Sequence, residues 1–334
     1  MSVPSDKSDA ELIPSGKSDA DVAAVIVCYG EAAHLFNCVS SLLAQESTRL
    51  TSLVLVDNNP PAEKVHIEDL PAGFAAAGGR ILTPGANLGF GRAINLALSG
   101  ISAALVLIVN PDLVLEPDAL GLLLRALEAE EAVAAVGPAV ALDGGGRAPE
   151  PSSGWPGLAG DLLSLSGLSR LRGERRIVGR ERQHCTFLCG ACWLLRRDAL
   201  LRVGGLDPRF FLYYEDADLC RRLVCEGYRL VYEPAAHARH VHGGSFRDPV
   251  HRQTVSLRGA LLYHRKYGGR AGAMAYRLGL ILLYIPRLLL GFLSYLPGMP
   301  RTSLTAGQRC RMLGAVLRVS TAEPSDLRRD GSPR

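Results

Sequence analysis

Apolar residues along this chain fall into short unbroken runs, divided by polar turns and by stretches with helical periodicity. Residues 22–28, Val-Ala-Ala-Val-Ile-Val-Cys, form the kind of continuous run expected of a strand covered on both faces of a parallel sheet. A helix is predicted over residues 31–45. Residues 53–57 give a second strand, which closes on the polar turn Asp57-Asn58-Asn59-Pro60. A weaker third strand at 79–83 leads into Asn87-Leu-Gly-Phe-Gly-Arg92 and a helix to about residue 99. The fourth, 104–109, stops at Asn110-Pro111-Asp112, ahead of a helix at 116–130 and a strand at 133–142. Strands that alternate with helices and end in polar residues predict an open α/β sheet with a ligand crevice along its carboxyl edge. Asp57, Asn87 and the 110–112 turn gather there.

The pattern breaks in the Gly- and Pro-rich stretch 143–157, and arginines cluster between there and residue 183. Such a length without apolar period is expected to be a flexible insert, either a lid or a partner-binding segment. Apolar residues return at 186–195 and lead through Gly204-Gly205-Leu206-Asp207 to Phe-Phe-Leu-Tyr-Tyr-Glu-Asp-Ala-Asp-Leu-Cys at 210–220. Three carboxylates, Glu215, Asp216 and Asp218, there follow four aromatic rings and open an amphipathic helix that stops at Gly227. The unpaired N–H groups of a first helical turn favour acids, so capping accounts for any one of them alone and best for Asp218. The aromatic run is expected to wall a cleft and give one carboxylate a dry, basic setting.

A short strand at 228–232 precedes Pro234 and the histidines His237, His240 and His242. Residues 250–300 are helical in character. Their 278–296 stretch approaches the roughly 20 apolar residues of a bilayer span, but Pro286, Arg287 and tyrosines interrupt it. With Arg258, Arg265, Lys266, Arg270 and Arg277 ahead of it, the expectation is an interfacial, membrane-associating helix followed by a polar tail at 301–334. At the other end, residues 1–20 hold a Ser- and Asp-rich repeat expected to be disordered. The folded domain is therefore placed at 21–249.

Composition narrows the partners. The net charge of +4 over 334 residues is small, and its clustered arginines suit phosphate or anionic lipid. No helix-turn-helix or zinc-finger spacing supports a nucleic-acid partner. Eight cysteines are unevenly spread and the N-terminus is acidic and polar, so a cytoplasmic location is expected. Cys185, Cys189 and Cys192 have the spacing of the cluster-binding triplet of radical S-adenosylmethionine enzymes. Two of them lie inside an apolar run, where thiols serve as small core residues.

Candidate chemistry sits at the strand ends. Asp112, beside a rigid proline, can hold magnesium or manganese over a diphosphate, or can simply form a turn. Asp57 can accept a pyrimidine N3–H bond or cap a helix. The 87–92 segment, with Gly89 and Arg92, offers backbone donors near a helix start to a phosphate or sugar, or is a plain loop. One histidine completing a carboxylate metal site is more economical than a zinc site, for which no second ligand pair has the spacing.

In order along residues 22–245, these pieces resemble a family-2 glycosyltransferase of the GT-A fold, in its rhamnosyltransferase-like branch. They are Val-Ile-Val-Cys-Tyr29, Val-Asp57-Asn, Asn87-Leu-Gly-Phe-Gly, Asn110-Pro-Asp112, Gly190-Ala-Cys-Trp-Leu-Leu-Arg-Arg, Gly204-Gly-Leu-Asp207, Phe211-Leu-Tyr-Tyr-Glu-Asp216 and His240-x-x-Gly-x-Ser245. The resemblance implies a mixed α/β sheet flanked by helices, and an inverting transfer from a nucleotide-diphosphate sugar, deoxythymidine-diphosphate rhamnose by preference. The acceptor it implies is a glycan or polyprenyl-diphosphate-linked sugar of cell-envelope polysaccharide synthesis, at the inner face of the cell membrane. It places the donor over Tyr29, Asp57, Asn87, Gly89, Arg92 and Asn110, and a divalent cation at Asp112 with His240. Asp216 becomes the general base, with Glu215, Tyr213 and Tyr214 toward the acceptor. Asn110 stands where the family's Asp-x-Asp has its first acid, so it contributes no charge to the cation. The competing readings are a non-catalytic nucleotide-sugar-binding protein on the same fold and the iron–sulfur enzyme.

Overall fold

A computed structural model describes residues 21–30, 32–47, 49–142, 151–152, 154–168, 181–240, 248–292 and 304–322. The 1–20 repeat, most of the first arginine cluster, and His242 with the Gly-Gly-Ser segment after it lie outside these residues.

The sheet begins with β1 (Val22–Cys28), β2 (Leu50–Asp57), β3 (Arg80–Leu82) and β4 (Leu105–Val109), all parallel where they pair. Helices α1 (Ala32–Leu43), the one-turn α2 (Gly73–Ala76) and α3 (Phe90–Leu98) connect them. The unbroken apolar runs are explained by cover on both sides. Leu35, Val39 and Leu42 of α1 and Leu120, Leu123 and Leu127 of α4 (Ala119–Glu128) pack one face. Ala93, Ile94 and Ala97 of α3 pack the other, with Leu200 of α6 (Arg197–Arg202) and Leu219 and Leu223 of α7 (Glu215–Cys225).

The second half of the sheet is mixed. It holds β5 (Leu113–Leu115), β6 (Val133–Leu142), β7 (Gln183–Cys185), β8 (Cys192–Arg196) and β9 (Arg229–His240). The strand order is β3-β2-β1-β4-β8-β6-β9-β5, with β7 also on β9. Strand β8 runs antiparallel between β4 and β6. Strand β9 extends well past the expected 228–232. Pairing with β6 jumps from Pro138↔Glu233 to Ala139↔His237, and Pro234, which has no N–H for the ladder, sits in that irregularity. The chain thus resumes its pairing and carries on to His240.

Two further helices were absent from the sequence reading. Residues Leu158–Ser166, within the expected insert, form α5, and Ala306–Thr321, within the expected polar tail, form α10. Both join a third hydrophobic cluster around α8 (Pro249–Gly279), the π-helical stretch Leu280–Tyr284 and α9 (Ile285–Leu290). Leu165 of α5 and Met312, Val316 and Val319 of α10 pack there against Leu257, Leu261, Tyr276, Leu280 and Leu288. Asp248 starts α8 by accepting the Val250 N–H at 3.1 Å, with Pro249 at the first helical position. A Thr305–Gln308 capping box starts α10.

This layer corrects the picture of a row of cations free to meet lipid. Lys266 is turned inward onto Asp207 and Asp218, and Arg277 donates to the Ala322 carbonyl. Arg287 donates to the Ser164 carbonyl at 2.8 Å. Arg265 and Arg270 remain exposed. Because Val255, Leu257, Leu261 and Tyr263 are buried, a chain ended after Arg252 should lose its cooperative thermal unfolding transition. A truncated chain melting as sharply as the full one would show that the helical layer is separable from the fold.

Candidate active site

The carboxyl ends of β1, β2 and the 87–92 loop are stitched together by two adjacent amides. Asn59 Oδ1 accepts the Gly30 N–H at 2.6 Å, while Asn58 donates to the Gly89 carbonyl at 3.3 Å and accepts from Leu88 N–H at 3.4 Å. Asp57 is fully buried beneath them. One of its oxygens takes the backbone N–H and side-chain amide of Asn59, at 3.1 and 2.9 Å; the other takes Val65 N–H at 2.9 Å. Asn58 and Asn59 were passed over as turn residues. The signal that could have found them is two consecutive amides at the carboxyl end of a buried strand.

Tyr29 follows β1 and is half-buried. Asn87 closes a local turn by accepting Gly89 N–H at 2.9 Å. Gly89 has φ 77°, and a Cβ there would collide with the Phe211 carbonyl. Only glycine lets this loop abut the 210–216 segment, where Phe90 N–H donates to the same carbonyl at 2.8 Å. Arg92, exposed, is engaged by the Pro208 carbonyl at 2.8 Å, and Asn95 holds both backbone groups of Leu206.

Asp112 and His240, far apart in sequence, meet because β5 pairs antiparallel with β9 and sets Leu113 opposite His240. Asp112 is buried, with Oδ1 3.0 Å from His240 Nε2. Asn110 N–H donates to the Ala191 carbonyl at 2.9 Å, and its own carbonyl accepts from Leu113 N–H at 3.2 Å. Among the described residues no three His, Cys, Asp or Glu side chains converge as a metal cage. A buried carboxylate with one imidazole beside it fits a hard cation that keeps substrate phosphates as its other ligands.

The cysteine triplet is a different matter. Cys185 and Cys192 are buried in β7 and β8, and burial pushes the thiols of Cys185, Cys189 and Cys192 up to about 12. Cys185 and Cys192 lie on separate strands, and among the described residues no three His, Cys, Asp or Glu side chains converge to hold a metal, so the iron–sulfur reading is set aside.

The acidic segment begins with strain. Tyr213 (φ 69°) and Tyr214 (φ 71°) are consecutive left-handed residues directly ahead of α7, a conformation costing about 1–2 kcal/mol for each non-glycine residue. Asp216 Oδ1 accepts Ala217 N–H at 2.7 Å and Oδ2 accepts Gly190 N–H at 3.3 Å. Burial raises its pKa. Glu215 is 5% exposed, and burial, then the neighbouring Asp216 charge, push its carboxyl up to about 8. Its Oε2 is buried with no hydrogen-bond partner among the described residues. Burial thus raises both adjacent acids, and the Asp216 charge adds to the rise at Glu215.

Asp218 does not cap the helix, as expected of it; it fastens α7 to α8. Fully buried, it accepts from Arg222 Nε and the Tyr267 hydroxyl, each at 2.8 Å, and from the Lys266 ammonium. Lys266 also bonds Asp207 at 2.8 Å. Burial alone would raise the Asp207 pKa, but bonds from Arg209 and Lys266 hold it well below the usual carboxylate range. Tyr214 does not stand beside Asp216 as an open platform. Its hydroxyl donates to Asp161 at 2.9 Å and its ring lies 5.5 Å from that of Tyr263. Tyr213 is half-buried, its carbonyl against Gly259 of α8.

Comparison with known proteins accords with this geometry. The family model described as glycosyltransferase like family 2 matches residues 20–256. An N-acetylglucosaminyl-diphospho-decaprenol L-rhamnosyltransferase of Mycobacterium tuberculosis is 31% identical over 248 residues, covering 68% of this chain and 78% of that protein. The rhamnosyltransferase WbbL of Escherichia coli is 46% identical over 54 residues, covering 16% of this chain and 20% of its own. Among solved structures, GalNAc-T7 with UDP, GalNAc and Mn2+ superposes with a TM-score of 0.53 at 12% identity. That match covers 85% of this chain, which spans 59% of the GalNAc-T7 chain. The expected GT-A arrangement, a mixed sheet flanked by helices with a helical C-terminal segment, is therefore the fold found, and the chain belongs to the family-2 glycosyltransferases.

Proposed function

We propose that this enzyme transfers rhamnose, with inversion, from deoxythymidine-diphosphate rhamnose to a hydroxyl of a polyprenyl-diphosphate-linked glycan in cell-envelope polysaccharide synthesis. The observation that carries the catalytic part is a shared stretch of backbone. Gly190 N–H holds Asp216 while the carbonyl of the next residue, Ala191, holds Asn110. The acid and the turn that presents Asp112 are thus fixed to adjacent residues of one segment. The printed name of the M. tuberculosis relative supports the choice of sugar and of a lipid-linked acceptor.

An acceptor hydroxyl is a poor nucleophile near neutral pH, and Asp216 takes its proton as the oxygen attacks the anomeric carbon. Glu215, beside it, contacts the acceptor together with Tyr213. Tyr29, Asn87, Gly89 and Arg92 border the donor, Asp57 shapes the loop beneath the base, and Asn110 meets the ribose. Asp112 and His240 would hold magnesium or manganese, which when bound offsets charge on the departing diphosphate. The GalNAc-T7 structure with UDP and Mn2+ supports that choice of group.

The segment Pro249–Leu290 is long and apolar enough to cross a membrane by length and composition. One side of it is packed into the protein, and Met274, Leu278, Ile281, Leu282, Leu289 and Leu290 are exposed on it. With Arg265 and Arg270 exposed near its start, we read it as lying on an anionic membrane surface at the cytoplasmic side, where a lipid-linked acceptor is reached.

The base assignment predicts that Asp216→Asn lowers kcat by about a thousandfold or more while the donor Kd, measured by calorimetry, stays within about twofold. Near-normal turnover in that variant would overturn it. Because burial raises both acids of the pair and the base must be ionised, kcat/KM should fall as pH drops, along an acid limb centred above the ordinary carboxylate range. Stability runs the other way. A carboxyl at 4.5 unfolded and about 8 folded favours the fold most below pH 4.5, and that contribution is lost as pH rises through 8. A limb centred near pH 4 would mean the base is not in this pair. For the membrane face, Leu282→Gln with Leu289→Gln and Leu290→Gln should reduce co-sedimentation with anionic liposomes at least tenfold without changing the melting temperature. Unchanged binding would remove this face from the interaction.

A further inference from the structure

Asp161 lies on α5, in the segment expected to be an insert, and His264 lies on α8, beyond the sheet domain. Both are largely buried, and neither belongs to any motif of the site. Yet their side chains meet. His264 Nε2 stands 2.8 Å from Asp161 Oδ2, and the same oxygen accepts the Tyr214 hydroxyl at 2.9 Å. One carboxylate oxygen from the insert therefore joins the C-terminal helix to the residue immediately before the acid pair.

That residue needs holding. Two consecutive left-handed tyrosines are unfavourable on their own and persist only where surrounding contacts over-determine them. The contacts here are few and specific. Gly259 lets α8 approach the Tyr213 carbonyl, which a Cβ would meet at 2.6 Å. The Tyr214 carbonyl accepts Asp218 N–H at 2.9 Å and so starts α7. Tyr263 supports the Tyr214 ring, and the His264 ring packs 5.1 Å from that of Tyr276. The Tyr214 hydroxyl adds a side-chain hydrogen bond to these contacts. A relaxation of Tyr214 toward ordinary φ would rotate the first turn of α7, which carries Glu215 and Asp216.

We propose that Asp161 and His264 are positioning residues for sugar transfer. Together they hold the Tyr214 hydroxyl, and through it the strained Tyr213–Tyr214 backbone, in the conformation that presents Asp216 to the cleft. This rests on the reading of Asp216 as the base. It makes the insert helix and the C-terminal helices part of the catalytic apparatus, in contrast to a lid and an anchor that merely accompany it. The function required of Asp161 is to accept two hydrogen bonds at one oxygen, which an amide oxygen can also do.

The test measures kcat, donor Kd and melting temperature in the full-length protein for Tyr214→Phe, Asp161→Leu, Asp161→Asn and, as reference, Asp216→Asn. Tyr214→Phe, which removes only the hydroxyl, is expected to lower kcat at least tenfold with donor Kd unchanged and an intact cooperative melt. Asp161→Leu should do the same or worse, and Asp161→Asn should recover most of the loss. A Tyr214→Phe enzyme with wild-type kcat, beside an inactive Asp216→Asn, overturns the positioning role and leaves the base assignment standing. Equal losses in Asp161→Leu and Asp161→Asn, with kcat and donor Kd weakened in parallel, also overturn it, because that marks a packing role. An active Asp216→Asn overturns the base reading itself, and this proposal with it.

Discussion

Everything around the crevice answers to the seating of two adjacent carboxylates, buried Glu215 and half-buried Asp216, at the start of one helix. Removing ionised acids from water is costly unless donors replace the lost hydration. Here the replacement is incomplete. Ala217 and Gly190 supply backbone N–H groups to Asp216, and the start of α7 adds its dipole, but Glu215 Oε2 finds no partner among the described residues. The pair therefore keeps a proton to a higher pH than ordinary carboxyls. A group poised in that way is useful as a base only if its geometry is fixed, and the surrounding contacts do the fixing. Gly89 abuts Phe211, Gly259 abuts Tyr213, and Asp218 binds Arg222, Lys266 and Tyr267.

How much of this was legible follows from the range of the forces involved. The parallel strands were readable because burial on both faces writes itself as unbroken apolar runs, and the polar strand ends marked the crevice at Asp57, Asn87 and Asp112. Strand β5 has three residues, too few to carry a period. Pro234 reads as a terminator locally, yet a shift in pairing lets β9 pass it and bring His240 to Asp112. Asp218 was assigned to capping because local rules reward an acid in a first turn, whereas its partners Lys266 and Tyr267 lie in a helix no local rule connects to it. Tyr214 was given to the acceptor for the same reason: nothing near it in sequence names Asp161.

The helical layer shows a similar division between pattern and packing. Arginines and a lysine ahead of an apolar stretch look alike in sequence, but the fold sorts them. Lys266, Arg277 and Arg287 are drawn into hydrogen bonds with the protein, while Arg265 and Arg270 stay in solvent. The apolar side chains are sorted too. Tyr276, Leu280, Tyr284 and Leu288 recur on the packed side, and Leu278, Leu282 and Leu289 are exposed. Among the described residues this stretch is packed on one side and shows apolar side chains on another.

The two halves of the sheet divide the chemistry. The parallel half, β1 to β4, ends in the amide-stitched loops around Asn58 and Asn59, and it leans on later residues through β8, the Leu206–Phe211 segment and the helices that cover it. The mixed half supplies the acid pair and is held from behind by α8. They are joined at Gly190 and Ala191, where β8 begins between the two, and a Cβ at Gly190 would already stand 3.1 Å from that of Asp216. A side chain at this junction would press on Asp216 and shift it relative to the Asn110 turn. Glycine at 190 is thus explained by contact, in contrast to Gly89, whose positive φ also demands it. Asp216 and the Asn110 turn are thus tied to adjacent backbone residues, through the Gly190 N–H and the Ala191 carbonyl.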